Sequence, residues 1–443
     1  MREFRHVWLA ATSLLLTSIA QANVSLSVEV ATHVDSGKGA QDAPADTTSS
    51  LDVILADRYF IVTSAKQSTV YDFDRRKRVV IDTEDKTRVD YSLFDTVGFR
   101  VIEFRNREYL GKMLAGLKVG EKVMATVDNE HILAVQVSPS NPLQVKTDEG
   151  GETYLNDGRI LFRRIGPSTP VLSGDAHMFT QFVRYTFGGH PQILNALAAK
   201  NSIPSQLVFI ANEGRVTTRT VSIKSVHLDD KTQIDITAFP LRDTSTSTDP
   251  VDKVLDRAAA VTAAELTAAR GRLRDELDAP FVDGHVFDGL LCSVEWSLMT
   301  GENLPPPSSE KAAALQKDES VRKLGTVIQA NSKETLTDAV KVITELRPSA
   351  PMKEYVLKIF EANDRAQLGD TQAARRLFVE ALRVNPYIAS AYKDFGDVLL
   401  REFDAPRAWR SWDIGRNIAP KFRNFDAVNQ FEHSLESEHP EYF

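Results

Sequence analysis

"RVNPYIASAYKDFGDVLLREFDAPRAWRSWDIGRNIAPKF", residues 383–422, carries two prolines, Pro386 in "VNP" and Pro420 in "IAP", that stand 34 residues apart. Counting back from Pro386, Ala381 lies five residues before it, Phe378 eight and Ala374 twelve, behind a turn at Gly369-Asp370. The same frame precedes Pro420, with Gly415 at five, Trp412 at eight and Ala408 at twelve, while Tyr392 and Gly396 open the unit. Small side chains at fixed phase let helix backbones approach, and one aromatic per unit fills the gap that remains.

Over residues 355–422 this pattern resembles the tetratricopeptide repeat, a stack of helix hairpins with a fixed 34-residue period. It departs from that pattern at Lys358, Glu361, Gly415 and the Asp404-Ala405 turn. Residues 321–351 have the length of a weaker first unit, and residues 422–443 read as a polar-faced capping helix. The resemblance implies no chemistry of its own. It implies a concave surface, made by the first helix of each hairpin, that takes a protein or peptide partner. Lys358, Asn363, Lys393, Asp394 and Asp397 are the polar candidates on it.

Upstream the chain changes character. From residue 23 to about 242 it reads as short β-branched or aromatic runs broken by Gly, Asp and Asn turns. Examples are "VSLSVEVAT", "RYFIVTS", "STVYDF", "RVVIDT", "RVIEF", "KVMATV", "ILAVQV", "TVSIKSV" and "QIDITAF". Alternation at period two suits an antiparallel sheet with one covered face. Helical cover is expected around residues 109–117 and 175–200, the latter broken at Gly188-Gly189, and a long loop over 36–50. The fold class is therefore α+β: an N-terminal antiparallel β-rich domain over 23–242, a helical connector over 243–307, and an all-α repeat region over 308–443. Asp249 and Pro250 are placed to cap and start the first connector helix.

The stretch "DRYFIVTSAKQSTVYDFDRRKRVVIDTEDKTRVDYSLF" is similar to periplasmic lipoprotein-carrier-like domains, which are half-open antiparallel sheets that bind acyl chains. That resemblance implies an apolar ligand against inward-facing residues such as Phe60, Val62, Val70 and Val80; a filled core under the helices is the alternative. Within it, Arg75, Arg76, Lys77 and Arg78 alternate with acidic residues, the pattern of a solvated hairpin.

The N-terminus "MREFRHVWLAATSLLLTSIAQAN" has Arg2 and Arg5, an apolar run from Val7 to Ala20, and Ala20-Gln21-Ala22, the zones of a secretory leader cleaved after Ala22. The run is too short to span a bilayer, so an exported protein, periplasmic or secreted, without an integral membrane span is expected. Cys292 is the single cysteine, which rules out an intramolecular disulfide. A formal net charge of −8 argues against nucleic acid as a partner.

Catalytic signatures are missing: no HExxH, GxSxG, phosphate-binding glycine loop or CxxC pair occurs. "SSEK" has Ser308 and Lys311 at acylase spacing but lacks the companion motifs. "DGHVFDGLLCSVEW" gathers Asp283, His285, Asp288, Cys292 and Glu295, yet on one helix His285 and Cys292 would stand about 10 Å apart along the axis, too far for direct proton transfer. His177, His190 and His227 show no ligand spacing, so no metal or cofactor is expected. A non-enzymatic adaptor is the preferred expectation, with an apolar-ligand carrier or an enzyme working near His285 and Cys292 as the alternatives.

Overall fold

The computed structural model describes residues 23–35, 46–116, 125–136, 141–229 and 235–443. The leader expected over 1–22 and residues 36–45 of the expected loop lie outside the described residues. The first half comprises β1 (Asn23–Asp35), β2 (Thr47–Leu55), β3 (Tyr59–Thr63), β4 (Gln67–Asp72), β5 (Lys77–Asp82) and β6 (Thr87–Ser92). Two helices follow, α1 (Phe94–Gly116) and α2 (Thr126–Leu133), then β7 (Gln144–Asp148), β8 (Gly151–Asn156) and β9 (Arg159–Pro170). α3 (Ser173–Phe187) and α4 (Pro191–Ala198) lead to β10 (Ser202–Asn212) and β11 (Val216–Asp229).

These strands form one eleven-stranded sheet in the order β6-β5-β4-β3-β2-β1-β11-β10-β9-β8-β7. Two antiparallel meanders thus meet where the first strand pairs with the last. Period-two patterning sets the sidedness: Val24, Leu26, Val28 and Val30 of β1 are buried and alternate with half-exposed residues. They pack in one core with Val97, Val101 and Phe104 of α1 and Phe179 and Phe182 of α3. The turn at Asp157-Gly158 has both residues at positive φ, 50° and 79°, as a tight hairpin between twisted strands requires.

Four segments read from sequence as strands are not strands in the residues described. "RVIEF" lies inside α1, because Phe94, Val97, Val101 and Phe104 recur at helical spacing and bury one face; five residues were too short a window to show that period. Thr126 and Val127 of "KVMATV" begin α2, residues 122–124 lying outside the described residues. Ile132 and Leu133 of "ILAVQV" end the same helix, which stops where Ala134 turns left-handed at φ 55°; Val137 is outside the described residues. "QIDITAF" holds a helical turn, Ile236–Ala238, with residues 233 and 234 undescribed; Ile236 and Phe239 cover Ile61, Val70, Val79 and Ile81 on the sheet's other face.

The helical half runs α5 (Pro250–Ala259), α6 (Ala263–Glu276), α7 (Ala279–Val282), α8 (Val286–Thr300), α9 (Ser309–Lys317), α10 (Glu319–Val327) and α11 (Lys333–Leu346). It continues through α12 (Glu354–Gln367), α13 (Thr371–Val384), α14 (Ala389–Arg401), α15 (Ala405–Ile418) and α16 (Asp426–Glu438). Asp249 caps α5 by accepting from the Val251 amide, and Pro250 takes the first turn, where no donor is needed. α12 with α13 and α14 with α15 form antiparallel hairpins whose local chemistry repeats. Asp370 and Asp404, 34 residues apart, cap α13 and α15, which end in step at Val384 and Ile418. Gly369 takes the left-handed turn at φ 87°, and Phe403 takes the equivalent turn at φ 62°, a conformation that costs a bulky residue about 1 kcal/mol. The close contacts fall at the small residues: a Cβ on Gly396 would sit 2.3 Å from Trp412 Nε1, and one on Gly415 2.4 Å from Phe425 Cζ.

The sheet and the hairpins are not separate bodies. Val251, Val254 and Leu255 of α5 and Trp409 and Trp412 of α15 belong to the same buried cluster as Leu26 and Phe182. Gly98 of α1 admits the Trp409 ring, which a Cβ there would meet at 2.4 Å. The basic run expected to be a solvated hairpin is largely spent in this contact. Lys77 pairs with Asp413 of α15 at 2.9 Å and Arg76 with Glu436 of α16 at 3.1 Å, while Arg78 pairs with the buried Asp95 at 2.5 Å. α16 likewise packs on α1 and buries Val428 and Leu435, so it joins the two halves besides capping the stack. The Tyr442 hydroxyl reaches the carbonyls of Leu133 and Ala134 at 3.1 and 3.0 Å.

Gly396→Val is expected to lower unfolding free energy in urea by about 1–3 kcal/mol through overpacking against Trp412. Gly325→Ala, in an open position on α10, should raise it by about 0.5–1 kcal/mol. Asp256→Ala, which strands the buried Arg410 and leaves Arg242 only Asp252, should cost about 3–5 kcal/mol in the same titration.

Candidate functional site

The first helices of the two hairpins, α12 and α14, lie side by side and leave a groove of about 320 Å³ between them. Asn363 and Gln367 line it from α12, and Asp394, Asp397, Val398 and Arg401 from α14. Residues three and four apart share a helix face, which is why 394, 397, 398 and 401 point the same way. Inside, Asn363 Nδ2 donates to Asp394 Oδ2 at 3.0 Å. Lys393 Nζ pairs with Asp397 Oδ2 at 2.6 Å and stands 3.9 Å from Asp394 Oδ1. Arg401 donates to the Ala366 carbonyl at 2.9 Å and ties the two walls together.

Of the candidates read from sequence, Asn363, Asp394 and Asp397 line this groove and Lys393 borders it through Asp397. Lys358 does not line it. Five residues from Asn363 on the same helix, it pairs with Glu354 at 3.3 Å and with Glu380 of α13 at 3.1 Å, on the side facing α13.

Burial pushes the Asp394 carboxyl up to about 6; Lys393 and Asn363 oppose the rise and Asp397 adds to it. Asp364, one position beyond Asn363, is raised to about 6 by burial and by the nearby Glu361. Arginine side chains hold Glu361 itself: Arg365 at 2.7 Å, and Arg347.

Phe60, Val62, Val70 and Val80 do not line one cavity. Pairing of Ile61 with Val70 places Val70 opposite to Phe60, because successive side chains alternate across a strand. Val70 borders a small charged cavity of about 250 Å³ with Arg58, Asp72 and Asp74 on the outer face. Phe60 is wholly buried on the inner face, stacked on Tyr71 at 4.4 Å and edged by Phe182 and Tyr185 at 6.1 and 6.2 Å. Rings fill the space around Phe60.

Cys292 and His285 are held in different settings. His285 is exposed ahead of α8, whereas Cys292 is buried and its thiol pushed up to about 11 by desolvation, the opposite of what a thiolate nucleophile needs. The carboxylates beside them tie α8 to the hairpins. Asp288 accepts from the Lys353 amide at 3.0 Å, and Glu295 takes Lys353 Nζ at 2.7 Å and the Tyr355 hydroxyl at 2.6 Å.

One buried polar cluster has no signal in the sequence, since its halves lie 60 residues apart. His190 Nδ1 accepts from the Gln192 amide, so Nε2 carries the proton and donates to Glu130 at 3.0 Å. The His190 amide donates to His131 Nδ1 at 3.0 Å, and burial lowers His131 to about 3, keeping it neutral. These bonds join α2 to the start of α4.

No protein-family model matches the chain, and no curated protein matches it. Among solved structures it is similar to one described as "Lipid-protein interactions in lipovitellin", at 10% identity and a TM-score of 0.18, over 93% of this chain and 53% of the other. The chain thus spans about half the length of that one, and a likeness so slight bears on neither fold nor ligand.

A carboxyl whose folded pKa is raised stabilises the fold least once it ionises. The contribution of Asp394 to stability should therefore fall as pH rises from about 4 through 6. Asp394→Asn keeps the acceptor for Asn363 without the charge. The variant should gain on the wild type by on the order of 1 kcal/mol between pH 4.5 and 7 in urea titrations, and a constant difference would refute the assignment.

Proposed function

We propose that the protein is an exported, non-enzymatic adaptor that holds an extended segment of a partner protein across the groove between α12 and α14. The groove itself carries this reading: two repeated hairpins present Asn363, Gln367, Asp394 and Asp397 on one open face. Side-chain amides of Asn363 and Gln367 suit the backbone of an extended peptide, which has a donor and an acceptor at each residue. Asp394 and Asp397 suit a cationic side chain, at the cost of their present bonds to Asn363 and Lys393. The likeness of both hairpins to the tetratricopeptide pattern supports the same mode of binding. The sequence of residues 1–22 supports export.

Chemistry at Cys292 is disfavoured by its buried, protonated thiol. A ligand lying against Phe60 would have to displace the aromatic rings that surround it.

The test is a photo-crosslinking side chain placed at Gln367 in the full chain, expressed in its own cells. A discrete crosslinked protein is expected, and its yield should fall about tenfold when Asn363→Ala and Asp394→Lys are added, since two groove contacts are lost. The same probe at Val384, exposed at the end of α13, should not capture it. Absence of a discrete product, or one indifferent to both substitutions, would overturn the proposal.

A further inference from the structure

A larger groove, about 630 Å³, lies between the end of α6, α7, α8, the strap of residues 303–307 and α9. Leu290, Val294 and Leu298 recur every four residues and make one apolar wall on α8, about 12 Å long. Ser293 and Ser297 also border it, but their hydroxyls donate to the carbonyls of Gly289 and Ser293 at 3.2 and 3.4 Å. Phe281 forms the floor, admitted by Gly289, where a Cβ would lie 2.6 Å from the ring. Leu304 and Pro305 close the far side.

Two features restrict the occupant. Pro305, Pro306 and Pro307 have no amide hydrogen, so the strap offers an extended peptide no donors to pair with. The cation at the groove is Lys311, whose Nζ stands 5.2 Å from the centre of the Phe281 ring. Its counter-ion, Asp278, also lines the groove; the Asp278 side chain is 75% exposed, whereas that of Lys311 is 29% exposed. An apolar trough with a half-buried ammonium at its border matches a chain-like apolar molecule that ends in an anion.

We propose that this groove binds a long-chain fatty acid, its hydrocarbon chain along Leu290, Val294 and Leu298 and its carboxylate on Lys311. The volume falls within the range of about 300–1,000 Å³ usual for small-molecule sites. The carboxylate shares Lys311 with Asp278 or replaces it; no covalent step is involved. The site is distinct from the groove between α12 and α14.

The experiment titrates cis-parinaric acid into the full-length protein and follows its fluorescence, then displaces it with palmitate or with hexadecanol, the uncharged control. Saturable binding at one site and displacement by palmitate are expected. Val294→Trp fills the trough and should weaken binding more than tenfold; Leu298→Trp serves if that variant does not fold by thermal melting. Lys311→Met should weaken palmitate about fivefold, the worth of a partly exposed ion pair, and leave hexadecanol unchanged. Three results would each overturn the proposal: no saturable signal, as for a groove that instead takes a partner helix or a second copy; binding indifferent to the tryptophan; or equal loss of acid and alcohol in Lys311→Met. The Asn363→Ala, Asp394→Lys variant should bind parinaric acid as the wild type does, so this test is independent of the partner groove.

Discussion

The Asp256 carboxylate, wholly buried on α5, is held between Arg242 and Arg410 at 2.8 Å each. One partner comes from the segment that leaves the sheet and the other from α15 in the last hairpin. A charge at that depth without partners costs several kcal/mol, so connector, sheet exit and hairpin must arrive together. The apolar contacts obey the same condition. The Trp409 ring can enter the cluster it shares with the sheet only because Gly98 has no side chain. Sheet and repeats therefore form one framework, and the groove between α12 and α14 is presented from a fixed base.

That arrangement gives the two halves different characters. The sheet puts its aromatic residues into packing: Phe60, Tyr71, Phe182 and Tyr185 fill the inner face, and the basic run from Arg76 to Arg78 is consumed by acids on α1, α15 and α16. The helical half keeps its openings. Both grooves described above lie there, one polar and formed by repeated hairpins, the other apolar and formed where the chain passes from α8 to α9.

Legibility followed the range of the interactions. The 34-residue frame was readable because close helix packing demands small residues at fixed phase, and Gly396 and Gly415 sit where Trp412 and Phe425 leave no room. Strand alternation was readable for β1, where burial follows period two, but not for β7, whose five residues are all exposed and carry no pattern. "RVIEF" misled because a five-residue window cannot tell period two from the helical period of α1. That Asn363, Asp394 and Asp397 line one groove follows from the helical frame; that Lys358 does not line it follows from which side of α12 meets α13, which depends on tertiary packing. The Glu130–His190 bond and the trough at Phe281 join residues far apart or in irregular chain, and nothing local announces them.

The central claim is that recognition happens on the face shared by α12 and α14. Hydrogen–deuterium exchange of the full chain, with and without the captured partner, addresses it directly. Slowed exchange confined to the amides of α12 and α14 is the predicted result. Protection at the open edge strand β7, or spread over the sheet with both helices unchanged, would contradict it.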